Sequence, residues 1–242
     1  MKKSLFACAL VGVFALVTSA SVAKADVVAT FQGTVPSQTV NTTAFGSTIN
    51  GMPVGPFQYS LVSSTSAEIG GSFYSFCADY YQPVNVGETY TYETVAFTDL
   101  PNVGSNPLKA SRIQELFDRF YAGTNDAEKG GAFQLALWDL LFDGSKFGVQ
   151  SLSSGDFQTT GSASSVALAD TWLAAIDNDA LAPPAESVQL VGLFNASAQD
   201  QITVVNPVPA PAGVILLVIG AGALATRRFT AKKAATIDEA AA

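Results

Sequence analysis

Three helical patterns follow one another in the middle of a chain that otherwise has the composition of β-strands. In each pattern, apolar residues recur at the spacing of a single helix face. The segments on both sides are rich in β-branched and aromatic residues, and glycines separate them. This order predicts one α+β domain at residues 26–205, in which a three-helix segment is inserted between two parts of a β structure.

Glycines and capping residues mark the ends of the predicted helices. The first helix ends at Gly123, and the third covers 164–177. The second starts from an N-cap at Thr124 or Asn125 and ends at Gly144. Its core-facing residues are predicted to be Phe133, Leu137, Leu140 and Leu141. Strands are predicted at 27–31, 57–61, 73–76, 89–95, 187–194 and 201–205.

Charge and composition exclude several classes of function. Residues 26–205 contain five Lys and Arg against 18 Asp and Glu, a net charge near −13, which repels nucleic acid. The chain has no histidine, which removes Ser-His-Asp and Cys-His catalysis and histidine zinc sites. A glycosidase would need two carboxylates facing each other across a cleft, and no such pair can be placed. We therefore expect a protein that is not an enzyme and has no cofactor.

Acidic residues suggest calcium as a ligand, but their pattern does not support it. Asp79, Asp139 and Asp143 match no calcium-binding loop. We interpret them as solvated surface residues and expect no metal.

Residues 1–25 have the layout of a secretory signal peptide. Lys2 and Lys3 precede an apolar run, and Ala23-Lys24-Ala25 forms a small-residue cleavage site. We expect an exported protein whose mature chain starts near Asp26.

Residues 206–242 form a separate unit. Prolines come first, then an uncharged run at 212–225, and then Arg227-Arg228. This order resembles the PEP-CTERM sorting signal, although the box Val208-Pro209-Ala210-Pro211 has alanine where glutamate is usual. The resemblance implies a Gram-negative bacterium, a short transmembrane helix, and a sorting transpeptidase as partner. It also implies transit through the inner membrane to the cell surface or extracellular matrix. An ordinary membrane anchor is the alternative.

Cys77 is the only cysteine outside the predicted signal peptide. A single thiol in an exported protein must pair with another chain, remain free or be consumed by other chemistry. The aromatic-Cys pair Phe76-Cys77 stands at the predicted end of a strand.

Three motifs in the body resemble those of the thioester domains of bacterial surface adhesins. Such domains carry an aromatic-Cys pair, a Thr-Gln-x-Ala-hydrophobic-Trp helix motif and a final hydrophobic-Gln-x-x-hydrophobic motif. Phe76-Cys77 matches the first, and 133–138 matches the second with Phe133 in place of threonine. For the third, Ala198-Gln199-Asp200-Gln201-Ile202 fits better than 188–192, where glycine occupies a hydrophobic position.

The resemblance implies that the Cys77 sulfur attacks a glutamine side chain, releases ammonia and leaves an internal thioester. A lysine amine of a surface protein or matrix polymer then forms a covalent amide. By the order of motifs we assign the thioester to Cys77 and Gln199. Gln134 and Trp138, four residues apart on one helix face, are assigned a supporting role.

Each of these residues also has a structural interpretation. Cys77 fits a small buried hydrophobe, Gln134 a polar residue at a helix edge, and Trp138 a core residue. On that interpretation the protein is a non-reactive structural component of the exopolysaccharide matrix.

The sorting interpretation predicts a mislocalised protein when Arg227 and Arg228 are both replaced by alanine. The body does not use these arginines, so it should fold normally while the protein stalls in transit. Cell fractionation combined with limited proteolysis of the body measures both properties. Normal surface delivery of this variant would contradict a sorting signal.

Overall fold

The computed structural model describes residues 26–66, 69–146, 148, 150–160, 164–176 and 187–205. The predicted signal peptide at 1–25 and the predicted sorting tail at 206–242 lie outside the described residues. Within the described part of the chain, no helix is long and apolar enough to cross a membrane.

The described residues form a mixed α+β structure with more strands than helices. The strands are β1 (Asp26–Thr34), β2 (Gln38–Ala44), β3 (Ser47–Val54), β4 (Phe57–Ser64), β5 (Ser72–Cys77), β6 (Thr89–Ala96), β7 (Phe157–Thr160), β8 (Gln189–Phe194) and β9 (Gln201–Val205). The α-helices are α1 (Pro107–Phe120), α2 (Ala127–Asp143) and α3 (Ser164–Ile176).

Six strands close into an antiparallel barrel in the order β1-β4-β5-β9-β8-β6. Tyr59 on β4 and Tyr92 on β6 are fully buried, and their hydroxyls share a hydrogen bond of 2.9 Å although β1 lies between their strands. These two phenols therefore point into the barrel interior. The strands β3, β2 and β7 form a separate three-stranded sheet.

The strand directions show which residues lie at each end of the barrel. β1 starts at Asp26 and β9 finishes at Val205, and every strand pair between them is antiparallel. The chain therefore enters and leaves the barrel at one end. Cys77, the last residue of β5, and Gln201, the first residue of β9, lie at the other end.

Helix α2 is buried on almost every face, which makes it the centre of the helical layer. Close packing is possible because its first turns contain Gly130 and Gly131. A Cβ at Gly130 would lie 2.6 Å from Cδ of Pro56, so a larger residue would push the helix away. The four residues predicted to face the core are 0–1% exposed, which confirms that prediction.

Three details differ from the predictions. The N-cap of α2 is Asp126, whose carboxylate accepts from the Lys129 N–H at 2.8 Å, and not Thr124 or Asn125. Helix α1 ends at Phe120, and a 3₁₀ turn continues to Gly123. Strands β2, β3 and β7 were not predicted, and β7 separates α2 from α3. These strands are rich in Ser, Thr, Asn and Gln, and their partners in the second sheet stabilise them.

Leu137→Ala tests the central position of α2. The side chain is fully buried, so its truncation should lower the free energy of unfolding by about 2–5 kcal/mol. Val62→Ala is the control, because Val62 is 62% exposed and its truncation should change stability by less than about 0.5 kcal/mol. Denaturant unfolding of both variants gives the comparison. Equal stability of the two would mean that α2 is not the core helix.

Candidate functional site

The pairing of β5 with β9 brings Cys77 directly opposite Gln201. The Ala78 N–H donates to the Asp200 carbonyl at 2.8 Å, so the neighbouring Cys77–Gln201 pair is a non-hydrogen-bonded pair of the ladder. Side chains approach most closely in such pairs, where Cα atoms are about 4.5 Å apart. Both side chains are fully buried and project from the same face of the sheet.

Gln134 supplies the backbone of Cys77 with the partner that the sheet does not provide. Pairing of β4 with β5 stops at Phe57 and Ser75, two residues before the cysteine. The Cys77 N–H donates to Oε1 of Gln134 at 2.9 Å, and Nε2 of Gln134 donates to the Cys77 carbonyl at 3.0 Å. The amide of a helix residue thus replaces a strand. It holds Cys77 in extended conformation beyond the end of the β4–β5 pairing.

The side chain of Gln201 is held at both ends of its amide. The Ser75 hydroxyl donates to Oε1 at 3.0 Å, and Nε2 donates to the Gln199 carbonyl at 3.4 Å. Ser75 precedes Cys77 by two residues and therefore lies on the same face of β5. This contact polarises the Gln201 carbonyl and fixes it on the face that carries the thiol.

The Cys77 thiol is protonated and enclosed. Burial raises its pKa to about 12, and its S–H donates to the Asp79 carbonyl at 2.9 Å. The nearby Trp138 indole opposes this rise in pKa. Its N–H nevertheless has no hydrogen bond of normal length and angle to any described residue. The thiol also contributes to the raised pKa of Tyr59 and of Tyr92, for both of which burial is the main cause. The sulfur faces the barrel interior, because Cys77 lies on the same face of β5 as Phe73, the cross-strand partner of the inward-pointing Tyr59.

Two carboxyl groups, those of Asp79 and Asp200, lie close to Cys77 and Gln201 in the sequence. Burial raises the pKa of the Asp200 carboxyl to about 6, and the nearby charge of Asp79 adds to this rise. A hydrogen bond from the Asn195 N–H opposes it. These charges also disfavour a thiolate at Cys77, since both contribute to its raised pKa.

The interpretation of Asp79, Asp139 and Asp143 as solvated surface residues is wrong, because they are 8%, 0% and 4% exposed. Asp79 accepts from the Tyr81 N–H, and Asp143 accepts from the Phe157 N–H and pairs with Lys146. These contacts give two of the acids structural roles in turns. Among the described residues, no group of three or more His, Cys, Asp or Glu side chains could hold a metal ion.

The residue opposite Cys77 is Gln201. The order of motifs predicts the thioester at Gln199, which lies two residues before it in the chain. Gln199 precedes β9, and its side chain extends toward a cleft at the same end of the barrel. Both glutamines belong to the same short motif, so only the strand register separates them. Ser75 was also missed. The alternation of β5 was the available signal, since it places a polar residue on the inward face beside the cysteine.

A cleft of about 450 Å³ opens at the Cys77 end of the barrel. Its lining includes Phe57, Tyr80, Tyr81, Gln82, Trp138 and Gln199. Phe31 and Phe57, stacked with ring centroids 5.0 Å apart, also line the cleft. Trp138 lines the cleft, and its indole also affects the pKa of the Cys77 thiol, so the thiol lies near the cleft.

Comparisons with protein-family models, with curated proteins and with solved structures found no match for this chain.

Gln134→Met tests the support of the Cys77 backbone. The change keeps the volume of the side chain but leaves a buried N–H and a buried carbonyl without partners, at a cost of about 1–3 kcal/mol each. Gln158→Met, at an exposed strand position, should change stability by less than about 0.5 kcal/mol. Chemical unfolding of the two variants measures the difference. An unchanged Gln134→Met variant would show that the bidentate contact is not needed.

Proposed function

We propose that this protein is an exported cell-surface protein that binds its partner covalently through an internal thioester between Cys77 and Gln201. The supporting observation is the register of β5 and β9, which makes these two fully buried side chains direct cross-strand neighbours. Proximity of this kind replaces an encounter in solution and lowers the barrier to bond formation. The resemblance to thioester domains supplies the reaction class.

In the proposed reaction the sulfur of Cys77 bonds to Cδ of Gln201, and the C–N bond of the amide breaks. The thiol proton leaves with the amide nitrogen as ammonia, so no other reactant is needed. Ser75 donates to the oxygen that becomes negative in the tetrahedral intermediate, the place where a donor accelerates acyl transfer most. The buried site excludes the water that would hydrolyse the product.

The proposed thioester determines which chemical groups of a partner can react with the protein. A primary amine attacks the thioester carbonyl, forms an amide with Gln201 and releases the Cys77 thiol. Lysine side chains of a surface protein, or amines of a matrix polymer, fit this step. The strongly acidic body favours the approach of such cationic groups.

Export and sorting complete the proposal. The signal peptide at 1–25 would direct the chain out of the cytoplasm, and the PEP-CTERM-like tail at 206–242 would deliver it to the surface. The body joins both segments at the end of the barrel opposite to Cys77. A chain held to the cell envelope by its tail would therefore present the reactive end away from it.

Intact mass spectrometry of the exported protein tests the thioester. The wild-type protein should weigh one ammonia less than its sequence, and Cys77 should resist alkylation after denaturation. Methylamine should restore a reactive thiol. Cys77→Ala and Gln201→Ala should abolish the mass deficit, whereas Gln199→Ala should keep it. The reverse behaviour of the two glutamine variants would return the bond to Gln199.

The same measurement gives the role of Ser75. Ser75→Ala should slow formation of the mass deficit after refolding by about 10²–10³-fold, because it removes one donor to the developing oxyanion. Thr203→Val is a control, since its hydroxyl also lies at the β5–β9 pair but donates to the Tyr74 carbonyl. A full sequence mass and a freely labelled thiol in the wild-type protein would leave the structural matrix protein as the function.

A further inference from the structure

The cleft beside the reactive pair combines apolar walls with a few polar atoms. None of the described residues that line it carries a charge, although the body as a whole is strongly acidic. Met52, Pro53 and Val84 contribute to its walls, and Tyr81 forms an exposed rim at 56% exposure. Such a site favours an occupant that is apolar along most of its length.

Three buried polar atoms on the lining have no hydrogen-bond partner among the described residues. Two are acceptors, Oε1 of Gln82 and Oε1 of Gln199, and the third is the indole donor Nε1 of Trp138. Buried polar atoms are normally satisfied, and each one left unsatisfied costs free energy. A bound group that brings hydrogen-bond donors would satisfy the two amide oxygens once their side chains turn toward it.

Two of these lining residues also contact the reactive pair. The Trp138 indole lies beside the Cys77 sulfur. The backbone carbonyl of Gln199 accepts from the amide of Gln201. The cleft therefore lies next to the site of the proposed bond, whose two side chains are fully buried behind its lining.

We propose that this cleft receives the extended side chain of a lysine on a partner protein, and that Gln82 and Gln199 are positioning residues for its amine. This inference rests on the proposed function and adds to it the entry path and the two residues that select the nucleophile. The amine donates to the two amide oxygens while its four methylenes contact the apolar walls. The indole N–H of Trp138 remains available to the oxygen of the carbonyl under attack.

The chemistry of the lining favours lysine over a neutral sugar. A sugar carries hydroxyl groups around its whole periphery, and walls of methionine, proline and valine would leave most of them unpaired. Lysine has one polar tip on an apolar stem, which matches a mostly apolar cleft with two amide acceptors among its lining residues. An uncharged lining also favours the neutral form of the amine, because burial disfavours its charge. The neutral form is the nucleophile.

The first experiment measures binding without reaction, in the intact protein carrying Cys77→Ala. Nα-acetyl-lysine methylamide should shift the indole NMR signal of Trp138. The signal of Trp172, which stacks on Phe120 at 4.6 Å on the helical side, is the internal control and should not move. Nα-acetyl-norleucine methylamide, which lacks the amine, should cause a smaller shift at equal concentration. A shift with cellotriose and none with the lysine probe would overturn the proposal in favour of a sugar site.

The second experiment measures the rate at which amines open the mass-deficient wild-type protein. Gln82→Met and Gln199→Met should keep the mass deficit but react about tenfold more slowly with the lysine probe. Methylamine donates to the same two amide oxygens, so its reaction should slow in both variants as well. Gln32→Met, at an exposed position of β1, is the matched control and should behave as the wild type.

The outcomes separate this inference from the function on which it rests. A wild-type protein with full sequence mass refutes the thioester, while the binding experiment still decides whether the cleft takes lysine. Loss of the mass deficit in Gln199→Met would make Gln199 the bonded residue and refute its positioning role. Wild-type rates with the lysine probe in both glutamine variants would refute the cleft as the entry path.

Discussion

The two hydrogen bonds between the Gln134 amide and the backbone of Cys77 connect the helical layer to the Cys77 end of the barrel. On the side of β5 away from β9 they are the partners of this backbone, because pairing with β4 stops at Ser75. The cross-strand relation of Cys77 to Gln201 depends on an extended and rigid backbone at that point. Helix α2 is therefore more than a core element, since it also fixes the geometry of the candidate site.

The proposed function makes two demands that oppose each other. The proposed thioester would have to be kept from water, yet its partner would have to reach it. Cys77 and Gln201 are fully buried, and the phenols of Tyr59 and Tyr92 close the barrel interior. The proposed entrance is the cleft at the same end of the barrel, whose walls are mostly apolar. The pair lies near this cleft because it consists of the last residue of β5 and the first residue of β9.

The sequence predicted the α+β class and the core face of α2 because both depend on periodicities within single segments. Strands β2, β3 and β7 escaped prediction because their polar sequences are stabilised by pairing with one another. The same distinction applies to the candidate site. Cys77, Gln134 and Trp138 were predicted from local motifs. The proposal of Gln201 in place of Gln199 rests on the register of two strands more than 120 residues apart. In an extended chain these glutamines share a face, so no local pattern distinguishes them.

Electrostatics give the proposed site a preference among nucleophiles. Burial and the charges of Asp79 and Asp200 together disfavour an anion at Cys77, which is why the pKa of its thiol is raised. The same surroundings disfavour hydroxide, the anion that would hydrolyse a thioester. A neutral amine meets no such penalty, and the acidic body attracts its protonated form from a distance. Formation of the proposed thioester would also convert the ionisable thiol of Cys77 into a neutral group, in an interior that does not stabilise a negative charge. The negative groups around Cys77 and Gln201 would thus oppose hydrolysis of the proposed bond by hydroxide while leaving its reaction with amines open.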